Sequence, residues 1–165
     1  MALKISNRGQ IPPFIVMDVL SAANKRQAGG EDIVHLELGE PATPAPREAI
    51  EAAQSVLQAE PLGYTEAFGL ASLRARIAEF YRLRHGIAVD AERIVVTTGS
   101  SGGFVLSFLA AFDPGDRVGL TDPSYPAYRN ILLALGIEPV VLSAGLETGY
   151  QPTVELVERT GRKLD

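Results

Sequence analysis

Gly99, Ser100 and Ser101 stand between two apolar runs, IVVTT (94–98) and FVLSFLAA (104–111). A glycine and two hydroxyls where a strand gives way to a helix suit anion binding. A helix start presents N–H groups that lack intrahelical acceptors, at the positive end of the macrodipole. Phosphate is the common occupant of such a place. Ser100 and Ser101 add hydroxyl donors, and Gly99 lets the backbone come close. The same composition also fits a plain strand–helix turn that favours small residues, so both readings stand at this point. The P-loop pattern GxxxxGK[ST] and the dinucleotide pattern GxGxxG are both absent.

A second candidate is Tyr125, in TDPSYPAY (121–128). It follows the next expected strand. In open α/β sheets the loops at the carboxyl ends of strands border the ligand crevice. Tyr125 is therefore expected at the same edge as Ser100 and Ser101, where its ring could serve as a platform for a cyclic ligand. Local packing of Tyr125 and Tyr128 around the neighbouring prolines is the other reading.

The elements that must position these residues follow from periodicity. Residues 1–11 read as an extended arm. Pro12 and Pro13 suit a helix opening, and Phe14, Val16, Met17, Val19, Leu20 and Ala23 form an apolar face up to Gly29 and Gly30. A short strand is expected at 33–38, then a proline-rich loop, then a helix over 47–59. Leu73, Ile77, Phe80, Tyr81 and Arg84 mark a helix over 70–85, stopped by Gly86. From residue 93 the rhythm alternates: strand 93–97, helix 101–112, strand 117–121, helix 126–135, strand 137–142. Strands alternating with helices at this spacing predict βαβ units and a parallel sheet. A short amphipathic helix is expected within 153–165.

Composition removes several function classes. Apolar residues make up 46% and charged residues 21% of the 165, the balance of a globular domain. A net charge of −5 argues against nucleic acid or an anionic membrane as partner. The chain has no cysteine, which excludes disulfides, thiol chemistry and Cys-based metal sites. His35 and His85 are not spaced to share a metal, so no metal site is expected. Arg76, Arg82 and Arg84 with Glu79 read as a solvated helix face. No run approaches the ~18 apolar residues of a membrane span, and no signal-peptide core opens the chain. A cytoplasmic protein is the expectation.

Taken in order, LELGEP, GYTEAFGLASLRARIAEFY, IVVTTGSSGGF and DPGDRVGLTDPSYPAY resemble the class I/II aminotransferases. These are pyridoxal 5'-phosphate (PLP) enzymes of the aspartate aminotransferase fold. The resemblance runs from about Ile11 to the end. It implies a three-layer αβα domain with a mainly parallel sheet, and an enzyme that moves an amino group between an amino acid and a 2-oxo acid. It assigns Gly99, Ser100 and Ser101 to the turn that binds the cofactor phosphate, and Tyr125 to the ring that stacks on the pyridine. Gly39 matches the glycine whose backbone approaches the substrate carboxylate. Tyr64 matches a tyrosine that reaches the cofactor phosphate of a partner subunit, which implies a homodimer. Residues 1–45 would form the arm, first helix and first strand, near the dimer contact; 46–165 would form the first part of the PLP-binding domain.

The sequence departs from the family pattern in places. Ala42 and Thr43 follow GEP where the family often has Asp and an aromatic residue. Gly102 and Gly103 occupy helix positions that better helix formers usually take, at up to ~1 kcal/mol each. Lys4, Lys25 and Lys163 are the only lysines, and none lies in the Ser-x-x-Lys-like setting that holds the family's Schiff-base lysine. The chain therefore resembles the N-terminal portion of such an enzyme, and it is expected not to transaminate by itself. Cut there, the sheet would keep unpaired edges and an uncovered apolar face, which favour association. Two other readings of the resemblance remain open: a PLP-dependent lyase or synthase of the same fold, and the aminotransferase-like sensor half of a transcription regulator. A phosphate-binding α/β domain unrelated to PLP is a third.

Overall fold

A computed structural model describes residues 3–165. They form six α-helices, two β-strands and three short 3-10 turns. The helices are α1 (Ile15–Ala28), α2 (Arg47–Ala59), α3 (Ala71–His85), α4 (Gly99–Ala111), α5 (Pro126–Leu135) and α6 (Val154–Arg159). The strands are β1 (Arg117–Asp122) and β2 (Glu138–Ser143). The chain divides into two compact units: Gly39–Thr98, and the residues up to Leu38 together with Gly99–Asp165.

In the second of these, β1 and β2 pair in parallel, with Arg117 opposite Glu138 and Asp122 opposite Ser143. Helix α5 makes the crossover, as the alternating pattern predicts. Pro126 occupies its first turn, where a missing N–H costs nothing. Gly136 ends it in the left-handed region. The Gly115 N–H then donates to the Gly136 carbonyl at 2.8 Å, and the Glu138 N–H to the Asp116 carbonyl at 2.8 Å, which sets β2 beside β1. Alternation places Val140 and Leu142 on one face of β2, and both are buried, as is Ala144 just after the strand. Leu156 of α6 joins Leu142 and Ala144 in a cluster. The Thr153 hydroxyl caps that helix by accepting from the Leu156 N–H. Leu132 of α5 is fully buried and Ile137 nearly so.

The unit Gly39–Thr98 is built differently. Helix α2 buries no residue, although its apolar and polar positions separate cleanly. In α3 the one buried side chain is Arg74. Its covered stripe is Arg74, Ile77 and Ala78, while Leu73 and Phe80 stand exposed. The face expected from apolar spacing is thus rotated, because a guanidinium and not an aliphatic chain fills the contact.

Two expected strands are not formed among the described residues. Residues 33–38 and 93–97 belong to no strand of the sheet, which pairs β1 with β2 among the described residues; Arg93 lies in a 3-10 turn and Glu37 and Leu38 in a bend. A strand exists through its neighbour's hydrogen bonds. One such bond is present at the second stretch, from the Val96 N–H to the Phe68 carbonyl at 3.0 Å. The expected uncovered apolar surface is there: Val95, Val96 and Val141 are exposed, and α4, apolar on all sides, buries no residue. Among the described residues, no helix is long and apolar enough to cross a membrane.

Candidate functional site

Gly99, Ser100 and Ser101 form the start of α4. The helix begins two residues earlier than expected, so Ser100 joins Ser101 in its first turn and does not lie ahead of it. Gly99 has φ +75°, in the left-handed region, and a Cβ there would meet nothing within 4 Å. The backbone therefore bends through glycine at an open place. Ser100 and Ser101 are exposed, and α4 has 13 residues to contribute its dipole. Gly102 and Gly103 are accommodated inside the helix despite their low propensity.

Tyr125 immediately precedes α5, at the carboxyl end of β1. Its ring meets Tyr128 edge-on at 5.4 Å and Phe14 edge-on at 6.2 Å. Tyr128 in turn meets Phe104 of α4 at 4.6 Å. Phe104 is three residues beyond Ser101, so an aromatic chain joins Tyr125 to the first turns of α4. The local packing of Tyr125 and Tyr128 is real, yet Tyr125 stays 45% exposed. Edge-on neighbours fix a ring while leaving its faces less covered than stacked ones would.

Beside Tyr125 lies a cleft of about 130 Å³, lined by Leu120, Asp122, Ser124, Pro126, Arg129 and Val141, among others. It sits where β1 ends and α5 begins, where the α/β rule puts ligands. Arg129 and Ser124 were not singled out from sequence; the signal was their position just after an expected strand. The Asn130 side chain donates to the Pro12 carbonyl at 3.2 Å, which ties the segment before α1 to α5.

Gly39 and Tyr64 belong to the other unit. Gly39 is exposed, with open space at its Cβ position. Tyr64 is fully exposed in the loop before α3, with no packing neighbour for its ring among the described aromatic contacts. The structure brings Gly99, Ser100, Ser101 and Tyr125 into one unit and leaves Gly39 and Tyr64 in the unit Gly39–Thr98.

His35 holds two partners, Glu37 Oε1 at 2.7 Å and Gln27 Oε1 at 3.1 Å, which clasp 35–37 to the end of α1. That hydrogen bond keeps the Glu37 carboxyl below its ordinary pKa. Lys25 lies in the last turn of α1, and Lys163 pairs with Asp165. Among the described residues, no three His, Asp or Glu side chains are grouped to hold a metal.

The donor types suit a ligand with an anionic end and a flat ring: two exposed hydroxyls at a positive helix end, and an exposed aromatic ring in the same unit. Pyridoxal phosphate has both parts. Residues that could hold it are Ser100 and Ser101 at the phosphate and Tyr125 at the ring.

Comparison with known proteins gives a consistent picture. The family model "Aminotransferase class I and II" matches residues 31–164. A curated valine–pyruvate aminotransferase of Mycobacterium tuberculosis is 48% identical over 157 residues, covering 95% of this chain and 40% of that protein. The crystal structure of an aminotransferase from Mycobacterium tuberculosis superposes with a TM-score of 0.89 at 47% identity, covering 95% of this chain and 41% of that one. Aspartate aminotransferase from Thermus thermophilus with maleate gives 0.88 at 30% identity, covering 96% and 42%. The chain spans about 40% of the length of the curated relatives it matches. The α/β fold with its parallel strands is that of these aminotransferases, and the chain belongs to the class I and II aminotransferase family.

Proposed function

We propose that the protein carrying this chain is a PLP-dependent aminotransferase that transfers an amino group between an amino acid and a 2-oxo acid. The observation that carries the reading is the aromatic chain that runs from Tyr125 through Tyr128 to Phe104 of α4, the helix that Gly99, Ser100 and Ser101 open. In this reading Gly99, Ser100 and Ser101 bind the cofactor phosphate, and the Tyr125 ring orients the pyridine. When bound, pyridoxal phosphate supplies the electron sink for exchange at the amino-bearing carbon. This chain's residues bind and orient. Lys25 and Lys163 are placed on a helix end and in a surface ion pair, and neither is assigned a chemical step.

Gly39 is assigned to the substrate carboxylate and Tyr64 to the cofactor phosphate of a second subunit, so the working form is a homodimer. The full exposure of Tyr64 and the uncovered apolar sides of α2 and α4 support that assignment. A place in amino-acid metabolism in the cytoplasm belongs to the same proposal. The relative named for valine and pyruvate makes that pair the first to assay.

The test is a titration with pyridoxal phosphate, followed by absorbance, in the protein carrying this chain. Replacing both Ser100 and Ser101 by Ala should weaken binding by about ten- to a hundredfold, as two hydrogen bonds to a charged group are lost. Affinity unchanged by that double substitution, or no amino transfer from any amino acid to a 2-oxo acid, would refute the reading.

A further inference from the structure

The buried charge of α3 has no part in the functional reading above, and its contacts point to one. Arg74 is 5% exposed. Its Nε donates to the Gly69 carbonyl at 3.2 Å and its Nη1 to the Ala91 carbonyl at 3.1 Å. Nη2 meets the Glu66 carboxylate at 3.3 Å, and Nη1 lies 3.5 Å from that of Glu92. One planar fork thus joins the loop 66–69 to the turn 91–93. Burying a guanidinium is costly unless its donors are matched; here two backbone carbonyls and two carboxylates match them.

The two joined segments also touch each other. The Val96 N–H donates to the Phe68 carbonyl. Gly69 has φ +91°, and a Cβ there would come within 2.7 Å of the Val96 side chain. Only glycine lets the loop lie this close to the stretch 94–97. Tyr64 lies two residues before this loop. The stretch leads, through Thr98, into Gly99, Ser100 and Ser101.

We propose that Arg74 is a positioning residue: by clamping the Gly69 and Ala91 carbonyls it locks the loop that carries Tyr64 to the stretch 91–96 of the same unit. The consequence for ligand binding rests on the cofactor reading above; the lock itself does not. Lysine cannot replace it, because a point charge on a flexible stem reaches one carbonyl and leaves the other unmatched.

Hydrogen exchange of the full chain, wild type against Arg74→Lys, tests the lock without any ligand. The expected result is exchange at least about tenfold faster in 66–70 and 91–96, with β2 unchanged. No acceleration in those segments, or equal acceleration throughout, overturns the proposal. Binding gives the second readout, as the ratio of affinities for pyridoxal phosphate and for pyridoxal, which lacks the phosphate. That preference should fall about threefold or more in Arg74→Lys; an unchanged ratio makes Arg74 merely structural and overturns its positioning role. A wild-type chain with no such preference would count against the cofactor reading, and the exchange comparison would still decide the lock. Should Arg74→Lys not fold, Glu66→Gln with Glu92→Gln keeps the carbonyl bonds and removes the carboxylate anchors. It should speed exchange in the same two segments by about threefold, and no local change there overturns the proposal.

Discussion

The segment from β1 to α6 and the segment from α2 to residue 98 are each held together, but by opposite means. The first buries Leu132, Ile137, Val140, Leu142, Ala144 and Leu156, and its order comes from apolar area removed from water. The second buries one side chain among the described residues, and that side chain is an arginine. Its order comes from directional bonds to two carbonyls and from one glycine contact. An apolar core tolerates small shifts in angle, while a guanidinium fork and a contact with no room for Cβ fix two backbones in one register. The difference suits a scaffold in the first and, in the reading proposed here, a segment that must hold the loop of Tyr64 in the second.

Removing a core side chain is the largest blow to this comparison. Leu132→Ala should cost about 3 kcal/mol in denaturant unfolding, since the site is fully enclosed and a cavity remains. Exchange should quicken through β1 and β2 and leave 66–69 and 91–96 as they were. Gly69→Ala should do the reverse at about 2 kcal/mol: φ +91° strains a residue with Cβ, and that Cβ would come within 2.7 Å of Val96 Cβ, next to the backbone, so that something must shift. Its effect should concentrate in 66–70 and 94–97. If either substitution loosens both regions equally, the two are one cooperative body and the contrast fails.

Most of the scaffold was legible in the sequence. Helix α2 runs from Arg47 to Ala59 and α5 from Pro126 to Leu135, as the apolar spacing, the opening proline and the closing Gly136 indicate. The parallel pairing of β1 and β2 followed from strand–helix alternation. For the candidate site, what the sequence made legible was the local structure: a turn through Gly99, two exposed serines at a helix start, an aromatic just after a strand. What was not legible depends on partners distant in sequence. Residues 33–38 and 94–97 have strand-like composition, but composition cannot supply the neighbour that completes a ladder. Arg74 was hidden because a hydrophobic stripe shows where a helix is covered only when apolar side chains do the covering. Its fork binds Ala91, 17 residues away, and no periodicity within α3 reports that.

The smallest effect expected is electrostatic, and it probes the apolar-built unit at a polar clasp. The hydrogen bond from His35 holds the Glu37 carboxyl below its ordinary value of 4.5, with the Glu37 backbone N–H and the His35 charge adding to it. A carboxylate depressed in the folded state contributes stability that is complete above the unfolded pKa and is lost as pH falls through the folded one. The clasp should therefore be intact at pH 6 and weaken on acidification below about pH 4.5. Glu37→Gln keeps the shape and removes the titration. Unfolding measured from pH 7 to pH 3 should show the wild type more stable than Glu37→Gln by a constant margin at the upper end, narrowing below pH 4.5. A margin that stays constant to pH 3, or that grows on acidification, would mean that the His35 contact does not outlast solvent screening and that this unit rests on its apolar core alone.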